Sequence, residues 1–157
     1  MKEYYYSAAT QKEQALRSYG YDREGNVYRA ADSSSGKAYK MSYDFLDRLM
    51  RVRDEKGNAY QYTYDANNNM IRLRHEADGT VHTIGYTYDK DSRETKTTLG
   101  KVTRETAYDA WGRVKSQDWK NDGSQIFHVS YEYPESGKNI IGLPSAVVNG
   151  GSRTEYT

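Results

Sequence analysis

Two of the three histidines have the spacing of a candidate metal pair, because His75 and His82 flank an Asp-Gly dipeptide at positions 78 and 79. A two-residue Asp-Gly turn would place His75 opposite His82 across a β-hairpin. Two imidazoles with Glu76 nearby suggest zinc. However, side chains alternate along a strand, so Glu76 points to the other face and no third ligand is evident. A cross-strand polar pair is favoured, and we predict no metal site.

Five aspartates recur along the chain and raise the question of calcium, whose protein ligands are oxygens. Calcium-binding repeats need glycine-rich loops with closely spaced aspartates. Here a single Asp comes once every 20 or so residues and offers too few oxygens. We therefore predict that these carboxylates form turns; they belong to Asp22, Asp44, Asp65, Asp89 and Asp109.

Nucleophilic catalysis would need a Ser or Thr beside a His and a third group that orients the His. The chain has no cysteine and no G-x-S-x-G motif, and its serines lie mainly in turn-like runs such as residues 33–35. We predict that this segment is not an enzyme, has no catalytic residue and binds no cofactor.

Trp111 and Trp119 are the candidate ligand-stacking residues. An exposed Trp beside tyrosines can stack on a sugar ring, whereas a Trp within a sheet can pack on a cross-strand neighbour. Packing is the commoner use, and the sequence leaves both alternatives open.

The elements that carry these residues are repeats. Tyr-Asp pairs recur 20 to 24 residues apart, and a period in this range is typical of repeat architectures. The tyrosines of the pairs are Tyr21, Tyr43, Tyr64, Tyr88 and Tyr108, and Tyr131, followed by Glu132, is assigned as a degenerate sixth copy.

Each copy predicts a type I turn. Its first residue is the Asp, and its fourth is Gly25, Asp47, Asn68, Ser92 or Gly112. The carboxylate can accept a hydrogen bond from the backbone two residues on, and Gly permits the positive φ needed where the next strand begins. In three copies an Arg follows, namely Arg48, Arg93 and Arg113.

A second turn follows about ten residues later, at Ser35-Gly36, Lys56-Gly57-Asn58, Asp78-Gly79, Gly100 and Asp122-Gly123. Strand-like runs such as Y-Q-Y-T-Y at residues 60–64 lead back to the next Tyr-Asp. Each repeat is therefore predicted to contain two short strands and two turns.

This pattern of Y-D-x-x-G-R-[VL], a strand, a Gly turn and a returning Y-x-Y-D resembles the YD repeat, also called the Rhs repeat. The resemblance covers roughly residues 19–157. Such repeats occur in bacterial Rhs and wall-associated toxins, in shell components of insecticidal toxin complexes and in teneurins. The resemblance implies an array that curls into a hollow β-shell or barrel around a C-terminal toxin or variable region.

Several residues depart from the family pattern. Asp47 and Ser92 replace the turn Gly, Glu94 replaces the apolar residue after Arg93, and Glu132 replaces the last Asp. Altered turns are expected in these copies.

The composition predicts a core built from tyrosine. Only 21 of the 157 residues are Leu, Ile, Val or Phe, whereas 17 are Tyr. Disorder usually requires high net charge and few aromatic residues, but the net charge here is +1. A tyrosine core can be stable provided that each buried hydroxyl finds a hydrogen-bond partner.

Charge and hydropathy bound the partners and the location. Near-neutral charge argues against nucleic acid, and the basic stretch at residues 48–53 alternates like a solvated strand face. No apolar run is long enough to span a membrane, and no signal peptide is present. We expect a secreted or cell-surface protein whose export signal lies outside this segment. Its expected partners are neighbouring repeats of the same parent chain, and an encapsulated toxin domain or a cell-surface glycan is a further candidate.

Together these features predict an all-β repeat array of antiparallel β-hairpins in a twisted sheet. Residues 19–133 form the regular repeats, and residues 134–157 form a degenerate repeat truncated mid-unit. Residues 1–18 are an irregular segment or a partial repeat, with either a short helix capped by Thr10 or a returning strand. The leading functional hypothesis is a structural shell segment, and the alternative is a carbohydrate-binding, wall-binding or adhesion module.

Overall fold

The computed structural model describes residues 2–7, 12–134 and 143–156, and every helix or strand among them is a β-strand. Wherever the residue-by-residue pairing of two neighbouring strands is defined, the strands are antiparallel. The strand order in the sheet follows the chain order. The predicted all-β array of hairpins is confirmed. No helix in these ranges is long and apolar enough to cross a membrane.

The chain divides into two units, Met1–Tyr64 with Arg72–Thr83 and Asp65–Ile71 with Ile84–Thr157. The strands of the first unit are β1 (Lys2–Ser7), β2 (Lys12–Tyr21), β3 (Val27–Asp32), β4 (Lys37–Tyr43), β5 (Leu49–Asp54) and β6 (Ala59–Tyr64). Two strands contribute residues to both units, β7 (Met70–Ala77) and β8 (Thr80–Tyr88). Those of the second unit are β9 (Glu94–Leu99), β10 (Val102–Tyr108), β11 (Val114–Asn121), β12 (Ser124–Glu132), β13 (Ala146–Asn149) and β14 (Ser152–Glu155).

The first repeat begins with a strand. Residues 12–21 form β2, which pairs with β1 and β3, so the helical alternative is wrong for these residues and the returning strand is right. Alternating side chains in a paired strand override a weak local helix signal. The proposed cap Thr10 lies outside the described residues, and so do residues 135–142 of the predicted degenerate repeat.

The two ends of the hairpins use different turns. At one end, the Asp of each Tyr-Asp pair begins a type I turn, whose fourth residue has positive φ and lets the next strand start. At the other end, Asp78-Gly79, Asp122-Gly123 and Gly150-Gly151 have positive φ at both residues, as a type I′ hairpin turn requires. The turn that joins β5 to β6 lies at this second end but is an exception, because Asp54 begins a type I turn there.

The turns that lack Gly are unaltered, contrary to expectation. Asp47, Asn68 and Ser92 have φ of 59, 66 and 60°, in the same left-handed region as Gly25 and Gly112 at 95 and 81°. Their backbone hydrogen bonds match those of the Gly copies. Asn and Asp tolerate this region better than most residues, and the hydrogen bonds of the turn hold Ser92 in it.

Little of the described chain is deeply buried. The buried residues are Ala59, Val129, Ala146 and Thr106, and no large side chain there is fully buried. The described tyrosines are half-buried or exposed. The fold therefore depends on contacts within the sheet more than on a dense core.

Each unit has two chemically different sheet faces, because cross-strand partners point to the same side. In the first unit, Met41, Val52 and Tyr60 share one face, and Arg29, Lys40 and Arg53 share the other. In the second unit, Arg104, Trp119 and Phe127 share one face, and Lys96 and Glu105 share the other.

We expect Gly112→Val to destabilise the protein by about 1–3 kcal/mol, because Gly112 has φ of +81°. A Cβ atom there would also lie 3.1 Å from Nη1 of Arg93. The matched control is Gly85→Val, which adds the same side chain in β8, outside the left-handed region and with no atom within 4 Å. Urea denaturation of both variants tests this, and equal stabilities would contradict the positive-φ argument.

Candidate functional site

The Tyr-Asp turns form the most regular chemical arrangement in the chain. In four of them Oδ1 of the Asp accepts hydrogen bonds from the backbone N–H two and four residues on, at 2.8–3.0 Å. These aspartates are Asp44, Asp65, Asp89 and Asp109. At Asp22 the described bond to Oδ1 comes from the N–H of Asn26, at 2.7 Å. Each carboxylate thus closes its own turn.

The second carboxylate oxygen binds the side chain that follows the turn. Nε of Arg93 donates to Oδ2 of Asp89 at 2.7 Å. The equivalent distances are 2.7 Å for Arg48 and 2.6 Å for Arg113. In the Asp65 turn, which has no Arg, Nδ2 of Asn69 takes this place at 3.0 Å. The Asp therefore fixes the direction of the side chain that leaves the turn.

The Arg held in this way stacks on the tyrosine of the following repeat. The guanidinium carbon of Arg48 lies 4.8 Å from the ring centroid of Tyr64, and that of Arg93 lies 4.9 Å from the ring centroid of Tyr108. Such cation–π contacts contribute about 0.5–1 kcal/mol at exposed sites. Where a turn carries an Arg, they link that repeat to the next.

The tyrosine hydroxyl completes the link by donating to a backbone carbonyl of the preceding repeat. The acceptor is the first residue of the strand that follows the preceding Tyr-Asp turn. The pairs and O···O distances are Tyr43 to Val27, 3.0 Å, Tyr64 to Leu49, 3.0 Å, Tyr88 to Met70, 2.9 Å, and Tyr108 to Glu94, 2.7 Å. Each hydroxyl thus has the hydrogen-bond partner that burial of a tyrosine requires.

Tyr133, and not Tyr131, occupies this position in the sixth repeat. The hydroxyl of Tyr133 donates to the carbonyl of Val114 at 2.8 Å, and Arg113 stacks on its ring at 4.0 Å. The assignment of Tyr131 to the motif is therefore corrected. Aligning Y-E-Y-P with the Y-x-Y-D of the earlier repeats would have found Tyr133, with Pro134 in the place of the Asp.

The charges in this cluster are mutually stabilised. The side-chain hydrogen bond from Arg93 lowers the pKa of Asp89 from its ordinary value, and backbone hydrogen bonds add to this against the opposing effect of burial. Burial raises the pKa of Tyr108. The cluster therefore holds a carboxylate, a guanidinium and a neutral phenol at neutral pH, which suits binding between repeats.

The two tryptophans differ in environment. Trp119 packs in the sheet against Phe127, with ring centroids 4.9 Å apart in an edge-to-face arrangement. Trp111 lies at the tip of the Asp109 turn and is 80% exposed, with the guanidinium of Arg113 at 4.9 Å from its ring. Of the two candidate stacking residues, Trp111 is the more exposed.

His75 makes an aromatic contact, and its pairing with His82 across the hairpin stays a prediction. His75 stacks on Tyr60 with ring centroids 4.2 Å apart and an interplanar angle of 9°. The Asp78-Gly79 turn has the predicted two-residue form. Across the described ranges, no group of three or more His, Cys, Asp or Glu residues is arranged to hold a metal ion.

Comparison with known families identifies the repeat. A family model described as RHS Repeat matches residues 43–81, a span that contains the Asp44, Asp54 and Asp65 turns. This part of the chain therefore resembles an RHS repeat. No curated protein matches the chain.

The fold is similar to parts of Tc toxin structures. Crystal structures of TcdB2-TccC3-Cdc42 and TcdB2-TccC3-TEV match with TM-scores of 0.67 and 0.66 at 18% identity. A structure of the Photorhabdus luminescens Tc holotoxin pore with a mutation in TccC3 matches with a TM-score of 0.63 at 17% identity. Each match covers 80% of this chain and 8% of the other, so this chain corresponds to a small part of those chains.

We expect Tyr133→Phe to destabilise the protein by about 1 kcal/mol, because it removes the hydrogen bond to the Val114 carbonyl. Tyr131→Phe is the matched control. Its hydroxyl has no hydrogen bond among the described residues, so we expect a change near zero. Thermal denaturation of both variants measures the difference, and a larger loss for Tyr131→Phe would restore the original assignment.

Proposed function

We propose that this chain is a structural RHS-repeat segment of a large secreted or surface bacterial protein, and that its sheet forms part of a β-shell around a C-terminal toxin or variable domain. The observation that carries the proposal is the hydrogen bond from the tyrosine hydroxyl of each repeat to a backbone carbonyl of the preceding repeat, joined at three turns by an Arg that stacks on that tyrosine. Because this hydrogen bond recurs from repeat to repeat, copy number can set the length of the wall. Neighbouring repeats of the parent chain are then the first partners.

The chemistry of the faces is in keeping with a wall. In the second unit, a shallow open cavity of about 350 Å³ is lined mainly by apolar and aromatic side chains, among them Ile84, Tyr86, Leu99 and Trp119. Exposed apolar surface of this kind favours contact with another polypeptide. Under the proposal, this face lies toward the enclosed domain.

Protease protection tests the shell function. The full reading frame that encodes this segment would be expressed and digested, and we expect its C-terminal region to resist cleavage. The variant Arg93→Ala with Arg113→Ala should accelerate that cleavage, because it removes two links between repeats.

The control for this experiment is Lys90→Ala, since the Lys90 side chain is 88% exposed and its one ion pair among the described residues is with the adjacent Asp91. We expect it to leave protection unchanged. A C-terminal region cut as rapidly in the wild-type protein as when expressed alone would contradict the shell function.

A carbohydrate-binding, wall-binding or adhesion module is the second candidate, favoured by one observation. The Trp111 indole is 80% exposed at a turn tip, where it could stack on a sugar ring. A surface glycan would then be the partner.

Co-sedimentation with isolated bacterial cell walls distinguishes the two functions. We expect the folded chain to remain in the supernatant. Saturable sedimentation that is lost in Trp111→Ala and kept in Phe45→Ala, where another highly exposed turn aromatic is removed, would favour the second candidate.

A further inference from the structure

Three cationic side chains lie side by side on one face of the first unit. Arg29 on β3 pairs with Lys40 on β4, and Lys40 pairs with Arg53 on β5. We call these three residues the basic row. Like charges placed directly opposite each other in a sheet are destabilising, so this arrangement favours an anion that neutralises it.

No acidic side chain of the described protein neutralises the basic row. None of its three residues forms an ion pair or a side-chain hydrogen bond among the described residues, and all three are exposed. Arg51 lies on the same face two residues before Arg53, and its Nε atom is buried without a hydrogen-bond partner in that part of the chain. A cationic surface and a buried donor thus both lack an acceptor on this face.

The basic row surrounds a space of suitable size. Arg29, Lys40 and Arg53 line an open cavity of about 580 Å³ together with Ala38, Asp54 and Glu55. Asp54 is engaged in its own turn, where its carboxylate accepts hydrogen bonds from the backbone and side-chain nitrogens of Asn58 at 2.8 and 2.9 Å. Glu55 is exposed at the cavity and is the acidic lining residue with no such bond.

The width of the basic row limits the ligand. At one end of the basic row, the next cross-strand neighbour of Arg29 is Gly20, over which the Tyr28 ring lies. At the other end, the next cross-strand neighbour of Arg53 is Ala59. The cationic row thus spans three strands, or about 10 Å at the usual strand spacing. A compact anion with several charges fits this span, whereas a long polyanion would need a continuous track.

We propose that the basic row is a binding site for a compact multivalent phosphate anion. The planar guanidinium groups of Arg29 and Arg53 can each donate two parallel hydrogen bonds to phosphate oxygens, and the Lys40 ammonium supplies a point charge between them. This site is separate from the links between repeats and goes beyond the proposed structural function.

Titration with inorganic tripolyphosphate at constant ionic strength tests the site. We expect saturable binding at one site. Arg29→Gln with Lys40→Gln should weaken it by roughly tenfold or more, because two charge-assisted contacts are lost. Lys90→Gln with Lys101→Gln removes the same charge from other exposed positions and should leave the affinity unchanged. Glu55→Gln should tighten binding, because it removes the opposing carboxylate.

The thermal melt provides a second readout. Without phosphate, Arg29→Gln with Lys40→Gln should melt no lower than the wild-type protein, because repulsion in the basic row is relieved. With tripolyphosphate, the wild-type melting temperature should rise and that of the variant should not.

Three results would overturn the proposal. The first is no saturable binding of tripolyphosphate. The second is equal weakening by both double variants, which would indicate general attraction of counterions. The third is tighter binding of a single-stranded oligonucleotide than of tripolyphosphate, which would assign the face to nucleic acid.

Discussion

In three of the five Tyr-Asp turns, the ion pair between the Asp and the Arg that follows it is the interaction on which the contact with the next repeat depends. The carboxylate uses one oxygen to close the turn and the other to hold the guanidinium. A free Arg side chain would lose considerable conformational entropy on stacking against a ring. Because the Asp already fixes the Arg, much of that entropy is lost within the turn itself. The tyrosine of the next repeat therefore meets a surface that is already in place.

This arrangement explains how a sheet with so few buried side chains can be specific. The hydrophobic effect rewards burial without fixing direction, and in the described part of the chain only a few small residues and Val129 are deeply buried. Direction comes from the tyrosine hydrogen bonds, which recur from repeat to repeat, and from the Arg–Tyr ring contacts at three of the turns. The tyrosine is suited to this role because its ring covers apolar surface while its hydroxyl reaches a backbone carbonyl. A Phe in its place could satisfy only the first requirement.

The sequence predicted what is decided locally and missed what depends on distant residues. Turns were predictable because Asp, Gly and Asn have intrinsic backbone preferences at fixed offsets. The unaltered turns at Asp47 and Ser92 were missed because the surrounding hydrogen bonds outweigh the preference for Gly. Tyr133 was missed for a different reason. Strand lengths differ between repeats, and a bulge lies between β11 and β12. The spacing from the preceding Asp therefore does not decide which of the two tyrosines near the end of β12 occupies the motif position. The stacking of Arg on the next tyrosine needs the fold, since the two residues lie on different hairpins.

The tips of the Tyr-Asp turns have a consequence for how this scaffold can change. The residue after each Asp is chemically unrelated from one turn to the next, being Arg23, Phe45, Ala66, Lys90 or Ala110, yet the backbone hydrogen bonds around it are the same. The side chain of this residue takes no part in closing the turn. Within each unit, the Tyr-Asp turns therefore offer positions at which mutation can introduce new chemistry at little cost in stability. Peptides grafted there would be displayed at intervals of one repeat on a frame that does not need to be redesigned.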